Sequence, residues 1–128
     1  MNHYPQFSKT SVEIMLKWLP RFASGELDKA HDYYLKTGQD IPQVLNFCRD
    51  IANSGFILIF DWAEWKKQFQ KQPIDQGFID HADLESLRKT LTTYVRQDRF
   101  CGGSMADKCS SGFIQSVLQR LQQIDQSI

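Results

Sequence analysis

The sequence predicts a mainly α fold: a single-domain bundle of five or six helices with a short extended segment near residues 56–60. Three observations lead there. Apolar residues recur at helical spacing over long stretches around residues 42–53, 81–97 and 113–124. Start and stop residues flank those stretches, with Pro42 suited to a first turn and Gly55 and Gly112 at breaks. One run alone, Phe56-Ile-Leu-Ile-Phe60, leans towards β structure, and no second convincing run exists to pair with it.

The chain, taken in order, supports each element. Residues 1–8 read as a loose arm. Ser8 or Thr10 caps a first helix, in which Val12, Met15, Leu16, Leu19 and Phe22 share a face. Pro20 lacks an amide donor and clashes one turn back, so an end or kink is expected near Leu19, with Ser24-Gly25 as a stop. Residues 25–41 have no strong period and accommodate a short helix near Asp28 to Leu35 or an ordered loop. Asp40 is the capping candidate for the helix begun by Pro42, and Val44, Leu45, Phe47, Cys48, Ile51 and Ala52 form its apolar stripe. After the extended run, Asp61 caps a helix from Trp62 to Gln72 that Pro73 ends. Residues 74–80 read as a linker. Leu84, Leu87, Leu91, Tyr94 and Val95 define a helix from about His81 to Gln97, long enough to act as the spine. Gly102-Gly103 breaks it, Ser104 caps a short turn to Cys109, and Phe113, Ile114, Val117, Leu118, Leu121 and Ile124 line the last helix.

Bulk composition excludes several classes. The 128 residues suit one domain, which at this size buries roughly two thirds of its unfolded surface. An apolar fraction of 41% with zero net charge is not that of a disordered chain. Zero net charge also argues against a nucleic-acid partner, since Arg88, Lys89, Arg96, Arg99, Lys108 and Arg120 are nearly cancelled by neighbouring acids. The longest apolar run, residues 56–60, falls far short of the roughly 18 residues a membrane helix needs, so no membrane partner is expected. Cys48, Cys101 and Cys109 make an odd count, and Met1 to Pro5 has no leader-like pattern, so reduced thiols in the cytoplasm are expected.

Two blocks concentrate unusual residue types: Asn53-Ser-Gly-Phe-Ile-Leu-Ile-Phe-Asp-Trp-Ala-Glu-Trp65 and Val95-Arg-Gln-Asp-Arg-Phe-Cys-Gly-Gly-Ser-Met-Ala106. With Ser111-Gly-Phe-Ile114 after them, they resemble a family of small bacterial proteins known only as a domain of unknown function. Its usual pattern is Gly-Phe-x-x-x-Phe-Asp-Trp-x-x-Trp, then Arg-x-x-Arg-Phe-x-x-Gly-His-Leu-Ala, then a glycine-led final helix. The similarity covers most of residues 42–124 in the same order. Ser104 stands where that pattern commonly has histidine, so any general-base or metal-ligand role of the histidine in relatives would be missing here. The resemblance implies one domain with two shared blocks and no mechanism.

Candidate site residues come from those blocks. Trp62 and Trp65, on one side of their helix, read as core anchors or as a ligand-stacking platform. Arg96 and Arg99, one turn apart, with Phe100 and Ser104, could grip a small anionic ligand, since a guanidinium fork matches carboxylate or phosphate. The plainer expectation is structural: Arg99 pairs with Asp61, joining the two blocks. Cys101 near Arg99 is the candidate for a thiol-dependent enzyme, but no base partner is visible. His31 beside Asp32 reads as a surface residue. Cysteine spacing and the three histidines, His3, His31 and His81, imply no metal, and no phosphate-loop, dinucleotide or zinc-protease signature implies a cofactor. The sequence therefore points to a non-catalytic binding or protein-interaction module, with a homodimer as one possible partnership.

Overall fold

The computed structural model describes residues 8–69 and 74–126. They form one all-α body of helices α1 (Lys9–Leu16), α2 (Leu19–Ala23), α3 (Ala30–Thr37), α4 (Pro42–Asn53), α5 (Trp62–Lys67), α6 (Gln76–Asp80), α7 (Leu84–Asp98), α8 (Ser104–Ser110) and α9 (Phe113–Gln126). Six of these, α1, α3, α4, α7, α8 and α9, run seven residues or more. The loose arm expected at 1–8 and the stop expected at Pro73 fall largely outside the described residues. Ser8 itself belongs to the fold, because its side chain accepts from the Ser11 amide in a reciprocal capping box.

Local chemistry sets most boundaries. Pro20 enters the first turn of α2, where a missing amide donor costs little, so the first helical stretch divides at Lys17–Trp18. The undecided stretch 25–41 folds as α3, ended by Gly38 in the left-handed conformation. Pro42 opens α4, yet Asp40 is not its cap: Ile41 holds that position without a side-chain bond. Asp61, Asp75 and Asp83 cap α5, α6 and α7 by accepting from backbone amides three residues on. The cap by Asp75 corrects the linker expected over 74–80, whose last five residues form α6.

The core is continuous. Met15, Trp18 and Phe22 pack with Phe47 and Ile51, while Leu87, Leu91, Met105, Ile114, Leu118 and Leu121 complete it. Trp18 and Phe22 each meet Phe47 edge to face with centroids 5.2 Å apart, and the Trp18 indole donates to Asp50 at 2.8 Å. The central element is α9, not α7 as its length suggested. α9 touches α1, α2, α6, α7 and α8. Its apolar stripe is buried along its length through Ile114, Val117, Leu118 and Leu121.

Among the described residues no strand pairs with residues 56–60. Their backbone is held by α7 side chains instead. Arg88, itself buried, donates through Nη2 to the Gly55 carbonyl at 2.7 Å and through Nε to the Phe56 carbonyl at 3.3 Å. Thr92 Oγ1 accepts the Leu58 amide at 3.1 Å. Buried backbone groups need partners, and two side chains of one helix supply what a second strand would have given.

Candidate functional site

A cleft of about 570 Å³ opens between α5, α7 and α8. Ala63, Lys66, Lys67 and Phe69 line one wall, Tyr94 and Gln97 the floor, and Ser104, Asp107 and Lys108 the other wall, with Ile74 at the edge. Helical spacing explains the grouping: Tyr94 and Gln97 lie one turn apart on α7, as do Ser104, Asp107 and Lys108 on α8.

Polar groups inside it form a relay. Lys66 Nζ donates to the Gln97 side-chain oxygen, and Gln97 Nε2 donates to Ser104 Oγ at 2.9 Å. With that oxygen already accepting, the Ser104 hydroxyl hydrogen is free to turn outward. Lys108 Nζ stands 5.1 Å from the Tyr94 ring centroid and 5.4 Å from that of Phe113, within cation–π range. Burial raises the Tyr94 phenol above its ordinary pKa, and the Asp107 charge adds to the effect. Lys67 reaches Glu64 at 3.3 Å in an exposed pair that solvent weakens. Three lysines against one aspartate give the cleft a cationic bias, while Phe69, Ile74 and Tyr94 supply apolar wall.

Of the residues anticipated for a ligand site, Ser104 lines this cleft. It is the first residue of α8 and not its cap. That position belongs to Gly103, and Asp98 serves the helix start from a distance by accepting the Met105 amide at 3.0 Å. Trp65 is half-buried, its ring meeting those of Phe60, Phe69 and Phe78 at centroid distances of 6.1, 4.8 and 6.3 Å. Trp62 stacks on Phe100 at 6.2 Å, and Phe100 remains 78% exposed on its other side. Arg96 and Arg99 do not line the cleft.

The expected Asp61–Arg99 ion pair is not formed. Asp61 is occupied in capping α5 through the Glu64 amide, and Arg99 lies exposed at the end of α7. The two blocks do meet, through the Trp62–Phe100 stack, and Lys66, just past the first block, donates to Gln97 of the second. Sequence reasoning missed Arg88, Lys66, Gln97 and Lys108. Lys66 and Lys108 resemble any solvated lysine in sequence, and only the docking of α5 against α7 brings them to one cavity. Gln97 carried a weak signal, standing inside the second block beside Arg96.

The glycine turn is filled by the protein itself. A Cβ on Gly102 would fall 2.0 Å from Tyr34 Oη, and one on Gly103 would fall 2.6 Å from a ring carbon of the same tyrosine. Gly103 also has φ near +87°, a left-handed conformation that side chains resist. The two glycines thus seat the α3 tyrosine, leaving no approach for a ligand on that side. Ser110 secures the same helix pair, accepting the His31 amide at 2.9 Å and donating to the Leu27 carbonyl at 3.2 Å. His31 Nδ1 stands 3.6 Å from Asp107 and is half-exposed.

The three thiols differ. Cys101 is exposed, Cys109 is buried and Cys48 is half-buried. Burial pushes the Cys48 thiol up to about 12, with Asp98 and Asp40 adding negative charge nearby, and moves Cys109 in the same direction. Among the described residues, no group of three or more His, Cys, Asp or Glu could hold a metal, and no helix is long and apolar enough to cross a membrane. A second, more apolar cleft of about 540 Å³ lies between α1, the start of α7 and the end of α9, bounded by Val12, Leu84, Leu121 and Ile124 and by Lys9 and Asp125.

Comparison with curated proteins and with solved structures finds no match. A model of one protein family matches residues 10–127, nearly the whole chain, including both sequence blocks and every helix except the first residue of α1. The chain therefore belongs to the family of unknown function DUF6508.

Proposed function

We propose that this protein is a small non-catalytic binding module and that the cleft between α5, α7 and α8 is its ligand site. The ligand class is a small amphipathic anion, a carboxylate or phosphate ester carrying an apolar portion. One observation carries this reading: Lys66 and Lys108 line a common cavity with Phe69, Ile74 and Tyr94 as apolar lining and Asp107 as its one acid. An ammonium is a compact charge with rotatable donors and suits anions of varied geometry. The Ser104 hydroxyl, oriented by Gln97, adds a directional donor. Arg96 and Arg99, outside the cavity, have no part in this version of the site.

Ligand-dependent melting tests the proposal, using phenyl phosphate, benzoate and inorganic phosphate as probes. Ligands that bind only the folded state raise its stability by RT ln(1 + [L]/Kd). Phenyl phosphate is expected to raise the melting temperature more than inorganic phosphate, and Lys66→Ala and Lys108→Ala are each expected to abolish most of the rise. Equal responses in wild type and both variants, or no response to any anion, would remove the proposal.

A further inference from the structure

One acid, Asp107, lines the cationic cleft, where its charge opposes an anion. Its side chain is 48% exposed, and among the described residues no hydrogen bond engages its carboxylate. The approach of His31 Nδ1, at 3.6 Å, is beyond hydrogen-bond reach. Asp107 follows Ser104 by three residues on α8, which puts their Cβ atoms about 5–6 Å apart on one face. Gln97 holds the Ser104 oxygen and leaves its hydrogen free, and Lys66, bonded to the same glutamine, keeps two donors to spare. Donors for an anion and an unused acceptor thus stand side by side.

We infer that Asp107 is the specificity residue of this cleft and that the ligand is an apolar hydroxy acid. The ligand's carboxylate takes the Ser104 hydroxyl and a lysine. Its hydroxyl, on the carbon beside the carboxylate, donates to Asp107. Its apolar portion lies on Phe69 and Ile74. Hydrogen bonds of about 2.7 Å at either end let a carboxylate and a neighbouring hydroxyl bridge the gap between the two α8 side chains. The inference rests on the reading of the cleft as an anion site and narrows its ligand.

A carboxylate accepts from an ammonium as well as from a hydroxyl, and magnitudes decide between them. An exposed ion pair with Asp107 tightens binding by at most about five-fold. An ammonium there also meets the like charges of Lys66 and Lys108, each costing about three-fold at a separation of about 6 Å in a water-like medium. The two losses outweigh the gain. A hydroxyl is uncharged and avoids both, and its hydrogen bond to a charged acceptor tightens binding about ten-fold. Asp107 also lies in the first turn of α8, where an acid favours the helix by itself. Preference among ligands, and not stability, therefore reads its role.

Calorimetric titration of the full chain at neutral pH with 3-phenyllactate, 3-phenylpropionate and phenylalanine tests it. The three differ only in carrying a hydroxyl, a hydrogen or an ammonium on the carbon beside the carboxylate. Phenyllactate is expected to bind about ten-fold more tightly than phenylpropionate, and phenylalanine more weakly than phenyllactate. Asp107→Ala is expected to remove the preference for phenyllactate and to tighten phenylpropionate by up to about three-fold, since a like charge is gone. The wild-type comparison needs no variant. Equal wild-type affinities for the two acids overturn the inference and leave the anion site standing, as does a preference that survives Asp107→Ala. Phenylalanine as the tightest ligand assigns Asp107 to an ammonium and equally overturns it. Binding of none of the three removes the anion site and the inference together.

Discussion

Arg88 Nη2 sits 2.7 Å from the carbonyl oxygen of Gly55, so a charged side chain on α7 fixes the chain where it leaves α4. Its Nε reaches the next carbonyl, that of Phe56. Hydrogen bonds to charged groups contribute about 1.5–3 kcal/mol each, and a buried acceptor left alone costs more than a solvated one. Arg88→Met keeps the volume and removes both donors. It is expected to destabilise the protein by about 3 kcal/mol or more in urea unfolding. Arg88→Lys is expected to recover only part, since an ammonium lacks the planar fork.

Gly103 is constrained twice, by its left-handed backbone and by the Tyr34 ring. Gly103→Ala is expected to cost about 2–4 kcal/mol, combining the conformational penalty with overpacking. Tyr34→Ala in the same chain should return the overpacking part and leave the backbone part. For Gly102→Ala, whose backbone is not left-handed, Tyr34→Ala should return nearly all of the loss. A double-mutant cycle on thermal unfolding measures both couplings.

The fold was legible where a single element carries its own instructions. Val44, Phe47 and Ile51 mark one face of α4, and Ile114, Val117, Leu118 and Leu121 mark the buried face of α9, because periodicity reports burial directly. Asp61 was readable as a cap for the same reason, since it serves an amide three residues away. What was not legible depends on distant partners. Arg88 resembles a surface cation until the carbonyls of Gly55 and Phe56 are placed beside it. Residues 74–80 lack the length for a periodic signal, so α6 was hidden although Asp75 stood at its start. Gly102 and Gly103 announced a special turn, but the reason is a tyrosine almost 70 positions earlier. The site suffered most, because Lys66, Gln97 and Lys108 come from three elements and only Ser104 lay among the residues that sequence singled out.

Cys48 should govern part of the alkaline stability. Its pKa is raised from 9.0 to about 12 in the folded protein. The unfolded thiol therefore loses its proton first, and the stability that the protonated thiol contributes is lost as pH rises from about 9 to about 12. The slope from one such group reaches about 1.4 kcal/mol per pH unit. Cys48→Ala is expected to show a shallower decline across that window in urea midpoints. In native protein at pH 8, thiol labelling followed by mass measurement is expected to find Cys101 modified while Cys48 and Cys109 stay protected.

Asp40 is shifted in the same direction, but its window lies below neutral pH. One carboxylate oxygen is buried without a hydrogen-bond partner, and burial, with Asp98 adding repulsion, raises its pKa. A carboxyl raised in the fold stabilises below its unfolded pKa and loses that contribution as pH rises through the folded value. At pH 7 the charge is therefore a net cost. Asp40→Asn is expected to raise stability at pH 7 by less than about 1 kcal/mol, since the side chain is only half-buried and solvent screens it. Near pH 3 the gain should vanish, which paired thermal melts at the two pH values would read.

The anion cleft is tested most directly by titrating isotopically labelled protein with phenyl phosphate and following backbone amide shifts. Saturable changes confined to the amides of Lys66, Tyr94, Gln97, Ser104 and Lys108 are expected, with Val12, Leu84 and Leu121 around the second cleft unmoved. Shifts that cluster around that second cleft, or that stay absent at saturating probe, would contradict the assignment.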